Sequence, residues 1–222
     1  MNKITILLTI SLCLSAADQV AGQSSVDMLD AYMLDIREGS LQAVPREIIT
    51  DQQNASALIN ALEQYYSDSV VSVRAMAYDL SKRIALGSDN NSVRQEVVGV
   101  LISALRDKDS GVIGRVATGL TYFQKDDFTP ASTNSLTALP DPKQPHLDKV
   151  IMLTGFVGGP NDMDVLRNLA NQSIGRNAKW SAYLVMARLG DEGALIRVLN
   201  SVKSRSLNDD VVEELPTVPE IL

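Results

Sequence analysis

The chain has 222 residues and a formal net charge of −7, with 20 basic against 27 acidic residues. Hydrophobic residues make up 45% and charged residues 21%, ordinary globular usage that excludes a disordered, collagen-like or disulfide-stapled chain. The acidic balance disfavours a nucleic-acid partner, whose phosphates select a basic surface.

The N-terminus reads as a targeting segment. Lys3 precedes an apolar stretch from Ile4 to Leu14, and small residues follow at Ser15-Ala16-Ala17 and Val20-Ala21-Gly22. A positive start, a short apolar run and small residues form a secretory signal peptide over residues 1–22. The run is too short to cross a membrane, which takes about 20 apolar residues. Cleavage after Ala17 or Gly22 removes Cys13, the only cysteine, and leaves no disulfide, thiol nucleophile or thiolate metal site. Leu12 ahead of Cys13 argues against lipidation. The mature chain, residues 23–222, is expected to be exported, periplasmic or secreted, with no membrane span.

From there apolar residues recur at helical spacing. The stripes are Val26, Leu29, Met33 and Ile36; Leu58, Leu62 and Tyr65; Val73, Ala77, Leu80 and Ile84; and Val93, Val97, Val100 and Ala104. Ile113, Val116, Leu120 and Phe123 follow, then Ala178, Ala182, Val185 and Leu189, then Leu195, Leu199 and Val202. Each set puts one apolar stripe on one helix face, and no alternating run competes for a strand. Ser67-Asp68, Ser88-Asp89, Asp109-Ser110 and Gly190-Asp191 punctuate the helices, and Gly87 and Gly190 stand where a left-handed residue ends one. Connections this short fold consecutive helices into antiparallel hairpins.

A repeat runs through these hairpins. Asp68 to Arg74 reads D-S-V-V-S-V-R, and Asp109 to Arg115 reads D-S-G-V-I-G-R; Ser173 to Lys179 is a weaker copy. A two-helix unit of this length belongs to the helical repeat arrays. On these residues the chain resembles the HEAT-repeat family of armadillo-like solenoids. The resemblance implies an all-α, right-handed superhelix of stacked antiparallel hairpins. It also implies that Asp68, Asp109 and Ser173 cap the second helices and that Arg74, Arg115 and Lys179 tie adjacent repeats together. A loop at residues 125–145, with Pro130, Pro140, Pro142 and Pro145, is expected to interrupt the array. Residues 206–222 read as half a hairpin or a capping turn, which leaves a truncated C-terminus as one reading.

Candidate chemistry dissolves under the same reading. His146 is the only histidine and has no second ligand for a zinc site or partner for a triad. Asp107-Lys108-Asp109-Ser110-Gly111 opens like a calcium loop, but Val112 and Thr118 stand where glycine and a carboxylate are required. Gly155 to Gly159 lacks the Lys-Ser/Thr of a phosphate cradle, and Gly158-Gly159-Pro160 reads as the end of one helix and the start of the next. Asn54, Asn90 and Asn171 fit the glycosylation triplet. Of Tyr65 and Tyr66, one ring should point inward and the other outward. No cofactor or metal is expected.

The remaining expectation is a partner surface. In a HEAT-like stack the second helices line the concave face, which makes Arg74, Arg115, Lys179 and Trp180 candidates. Phe128 and Leu136 join them as apolar residues of the 125–145 loop, unless they pin that loop onto the stack. The function expected is a non-enzymatic scaffold that binds another protein. The competing expectation is a HEAT-like lyase or other enzyme on the same scaffold, since some HEAT-like families act on bilins or DNA.

Overall fold

A computed structural model describes residues 24–40 and 42–203. The signal-peptide reading of residues 1–22 and the half-hairpin reading of residues 206–222 lie outside the described residues. The helices are α1 (Ser25–Arg37), α2 (Arg46–Thr50), α3 (Ala55–Leu62), α4 (Val71–Gly87), α5 (Asn91–Ala104) and α6 (Ser110–Leu120). They continue with α7 (Pro130–Thr137), α8 (Leu147–Val157), α9 (Met163–Ala170), α10 (Arg176–Arg188) and α11 (Glu192–Lys203). No strand occurs among the described residues, so the chain is all-α there. None of these helices is long and apolar enough to cross a membrane.

Local chemistry sets where the helices begin. Ser24 accepts from the Asp27 N–H at 3.1 Å, and Asp27 returns a carboxylate to the Ser24 N–H, which closes a capping box on α1. Asn90 caps α5 through the Ser92 N–H, and Asp109 caps α6 through the Val112 N–H at 3.1 Å. Gly190 follows α10 with φ of 99°, the left-handed conformation glycine adopts without steric cost. Gly87 does not share that role. It remains the last helical residue of α4, where a Cβ would lie 2.7 Å from Gln52 Nε2.

The helices pack in two rows. α1, α4, α6, α8 and α10 touch in succession and form one row. α3, α5 and α7 touch in succession behind it, and each packs against the following helix of the first row. α9 and α11 pack on α10. An isolated hairpin of this kind leaves apolar faces in water, and stacking removes them at roughly 2 kcal/mol per large side chain buried. Leu29, Met33, Leu58, Leu62, Leu80, Ile84, Leu101 and Phe123 are accordingly buried in one cluster. α8 serves two sides: Val150, Leu153 and Val157 join that cluster, while Leu147 and Ile151 pack with Leu166, Ala182 and Val185. Gly155 lets α8 and α10 approach closely, because a Cβ there would stand 2.5 Å from Val185 Cγ2. It is therefore a packing residue inside the helix, which ends, as expected, at Gly158.

Apolar contact is non-directional, and a set of Arg–Asp pairs fixes several of the steps from one helix to a later one. Arg37 on α1 pairs with Asp68, ahead of α4. Arg74 on α4 pairs with Asp107, ahead of α6, through Nε at 2.8 Å and Nη2 at 2.9 Å. Arg94 on α5 pairs with Asp127, ahead of α7, at 2.8 Å, and Arg167 on α9 pairs with Asp191, ahead of α11, at 2.8 Å. Arg74 and Arg94 also reach back six residues, donating through Nη1 to the Asp68 carbonyl at 2.7 Å and the Ser88 carbonyl at 2.6 Å. One guanidinium thus joins its own helix entry to the entry of the next helix, a use for which its rigid donor fork is suited.

The expected loop at 125–145 is not a loop throughout. A 3-10 turn at Lys125–Asp127 leads into α7, which fills the place of a first helix in the hairpin with α8. Thr129 caps it through the Ser132 N–H at 3.1 Å, and Pro130 occupies the first turn, where its missing N–H costs nothing. Its sequence PASTNSLT has little helix propensity, so tertiary packing imposes the helix. Phe128, Leu136 and Leu139 are buried in the main cluster, and Phe128 meets the Phe156 ring edge-on at 6.1 Å. They pin the segment down and offer nothing to a partner.

Leu136 is fully buried, and L136A should lower unfolding stability by about 3 kcal/mol in urea melts through lost packing and the cavity left behind. D107N should cost about 3 kcal/mol, since it strips the nearly buried Arg74 of its countercharge. The hydrogen bonds from Arg74 hold the Asp107 carboxyl below the ordinary carboxylate range. A depressed folded-state pKa stabilises fully above about pH 4 and ceases to do so as pH falls through the folded value. Acid unfolding curves of D107N should therefore be shallower below about pH 4 than those of the unmodified protein.

Candidate functional site

The row α4–α6–α8 carries an open face centred on α6. One side of α6 buries Val112, Ile113, Val116, Ala117 and Leu120. The other carries Gly111, Arg115 and Thr118, which are exposed, and Gly114 and Gly119, which the His146 ring and the Lys82 stem cover, with Tyr122 one turn beyond Thr118. These positions share an arc at helical spacing. The three glycines each cost about 1 kcal/mol of intrinsic helix stability relative to alanine. Their positions show what they permit. A Cβ on Gly114 would lie 2.8 Å from His146 Nε2, and one on Gly119 would lie 3.3 Å from Lys82 Cδ. The bare backbone of α6 thus receives a ring from one neighbour and an aliphatic stem from the other.

Around this strip stand Asp79 and Lys82 of α4, and His146 and Lys149 at the start of α8. Lys82 Nζ pairs with Asp79 at 2.6 Å and lies 5.6 Å from the centroid of the Tyr122 ring, which is 61% exposed. Lys149 Nζ donates to Thr118 Oγ1 at 2.9 Å. His146 adopts left-handed φ and ψ of 52° and 38° at the N-cap of α8. Its Nε2–H donates to the Ser110 carbonyl at 2.8 Å, so the ring holds this bend against α6. Asp79 is shared between Lys82 and Arg83. Arg115 is exposed and has no hydrogen-bond or ion-pair partner among the described residues. The depression is locally cationic although the chain as a whole is acidic.

The residues expected to form a partner surface are not brought together. Arg74 is committed to Asp107, and Phe128 and Leu136 are core. Trp180 is half-buried, edge-on to Tyr183 at 5.7 Å and packed near Leu184 and Val198. Lys179 is half-buried on the same helix. Arg115 is the candidate that lines the open face. Of the expected caps, Asp109 takes its place. Asp68 accepts from the Val70 N–H at 2.8 Å, but Val70 is itself the N-cap of α4, so Asp68 closes the preceding turn. Gly175, not Ser173, is the N-cap of α10, and Ser173 is exposed in the turn before it.

Neither tyrosine of the Tyr65-Tyr66 pair is left as a free ring. Tyr65 is buried and donates to Asp30 at 2.8 Å, and burial with that carboxylate pushes its phenol up to about 12. Tyr66 stacks on Tyr78 at 5.0 Å and shares a 2.7 Å hydrogen bond with Ser81. Lys82, Tyr122 and Lys149 were missed in the sequence, and His146 was weighed only as a metal ligand or triad member, because the four come from three separate segments. The clustered glycines of α6 were the available signal.

The glycines give a paired test. Gly99, inside α5, has only Ser132 Oγ near its missing side chain, at 3.9 Å. G99A should raise stability by up to about 1 kcal/mol. G114A should fail to gain this and should lower the thermal midpoint, because the methyl group displaces the His146 ring.

Compared with protein-family models, with curated proteins and with solved structures, the chain matches none of them.

Proposed function

We propose that the protein is an exported, non-enzymatic scaffold that docks another protein along the α4–α6–α8 face. On this reading the two rows are a HEAT-like solenoid, a right-handed superhelix of stacked hairpins. What supports it is the sequence of neighbours in the rows together with the Arg–Asp pairs joining consecutive helices. The observation that carries the docking reading is the strip on α6. Arg115 and Tyr122 project from its exposed side next to Lys82 and Lys149, and among the described residues Arg115 has no ion-pair partner. Low relief with a few projecting anchors suits the approach of another polypeptide. The export part rests on the Lys3 to Gly22 pattern alone.

Site-specific photo-crosslinking tests the docking face. A photoreactive side chain at Thr118, on the strip, should yield a discrete crosslinked protein in the source cells. The same group at Ser103, exposed on α5, should not. Crosslinking from Ser103 but not Thr118 would refute this face as the docking site. Mass measurement of the purified native chain should find an N-terminus following Ala17 or Gly22, and retention of Met1 would refute export by cleavage.

A further inference from the structure

In the first row the Arg–Asp pairs end at α6, and the end coincides with the open face. Within the first row, α1 is tied to α4 through Arg37–Asp68, and α4 to α6 through Arg74–Asp107. Arg115 stands on α6 where Arg74 stands on α4, each six residues after the aspartate that orders its helix entry. Among the described residues no carboxylate meets Arg115. The α6–α8 step is held instead by neutral or singly charged contacts: His146 to the Ser110 carbonyl, Lys149 to Thr118, and Gln144 Nε2 to the Leu105 carbonyl at 2.8 Å. These contacts leave the guanidinium outside, facing solvent beside two lysines.

We infer that Arg115 is the anchor for an acidic peptide segment of the partner protein, whose carboxylate takes the place that Asp107 takes at Arg74. The inference rests on the α4–α6–α8 face being the docking surface and names the chemistry of what docks there. Charge complementarity is its basis. Lys82, Arg115 and Lys149 line the depression with Asp79 as the one carboxylate among its lining residues, and Asp79 is already shared by Lys82 and Arg83. Asp109, at the neighbouring edge, spends its carboxylate on the α6 cap. Asp148 adjoins Lys149 in sequence but does not line the depression. The exposed Tyr122 ring offers a flat apolar surface beside the cations. An incoming carboxylate gains a bidentate partner with no internal ion pair to break.

Fluorescence anisotropy with a fluorescein-labelled oligoglutamate peptide tests this on the full chain, with oligolysine and single-stranded oligonucleotide probes as controls. Oligoglutamate should bind, and added salt should weaken it, as screening at about 8 Å requires at physiological ionic strength. R115E and K149E should each weaken binding about tenfold or more, since they set like charges together. R115Q should weaken it less. K125E makes the same charge change on the exposed turn before α7 and should bind as the unmodified protein does. Thermal melts should show R115E folded as before, because Arg115 gives up no internal partner. Oligoglutamate binding by R115E equal to that by K125E would overturn the inference. Arg115-dependent preference for the oligonucleotide would also overturn it, in favour of a nucleic acid. Much tighter probe binding by a D209N/D210N/E213Q/E214Q variant would assign the face to the chain's own acidic segment and overturn the partner assignment. Thr118 crosslinks that persist unchanged in R115E would leave the docking face standing and remove only its acidic specificity.

Discussion

The Arg74–Asp107 pair is the constraint on which the order of the rows depends. Apolar faces alone would let one hairpin slide or rotate on the next with little change in buried area. A guanidinium held by its own helix entry through the Asp68 carbonyl and by the next entry through both Asp107 oxygens permits one register. Asp107 also accepts from the Asp109 N–H at 2.8 Å, so the same carboxylate shapes the turn that positions the α6 cap. Register, turn and helix start are therefore set together. Arg94 and Asp127 repeat the arrangement in the second row, where Asp127 receives the Gln124 N–H as well.

Seen from this pair, the strip on α6 is where the internal bonding pattern stops. The α6–α8 step is tied by a histidine ring seated in a glycine notch, and its arginine is left over. Where α1 and α4 each spend an arginine on the next entry of the row, α6 presents its arginine on the open face. That local departure from self-consistency is where sites are commonly found.

Much of the fold could be read from the residues. The 3.6-residue stripes located the long helices, and Asp109 announced the start of α6 because a carboxylate three residues before a free N–H is a local signal. α7 could not be read this way. Its residues favour turns, and only burial of Leu136 and Leu139 against α5 and α8 makes it helical, a cause that lies far away in sequence. The partners of the arginines were hidden for the same reason: Asp107 and Asp127 lie 33 residues beyond Arg74 and Arg94. A clue was nevertheless present, since Ser72-Val73-Arg74 recurs as Ser92-Val93-Arg94 with the aspartates displaced equally. The repeat of D-S-x-V-x-x-R was legible, but it marked Arg74 and Arg115 as equivalent when one is bound and the other, among the described residues, is not. The site followed from that difference, which no local spacing records.

The glycines of α6 also have a mechanical meaning. Backbone that lacks side chains on one face has more conformations to lose on folding and fewer contacts resisting distortion. α6 is the middle member of its row, with α1 and α4 on one side and α8 and α10 on the other. Elastic load applied to the two ends concentrates in the least stiff element. α6 is the most glycine-rich helix of its row, so the contacts that resist its bending come from outside it, from the His146 ring and the Lys82 stem.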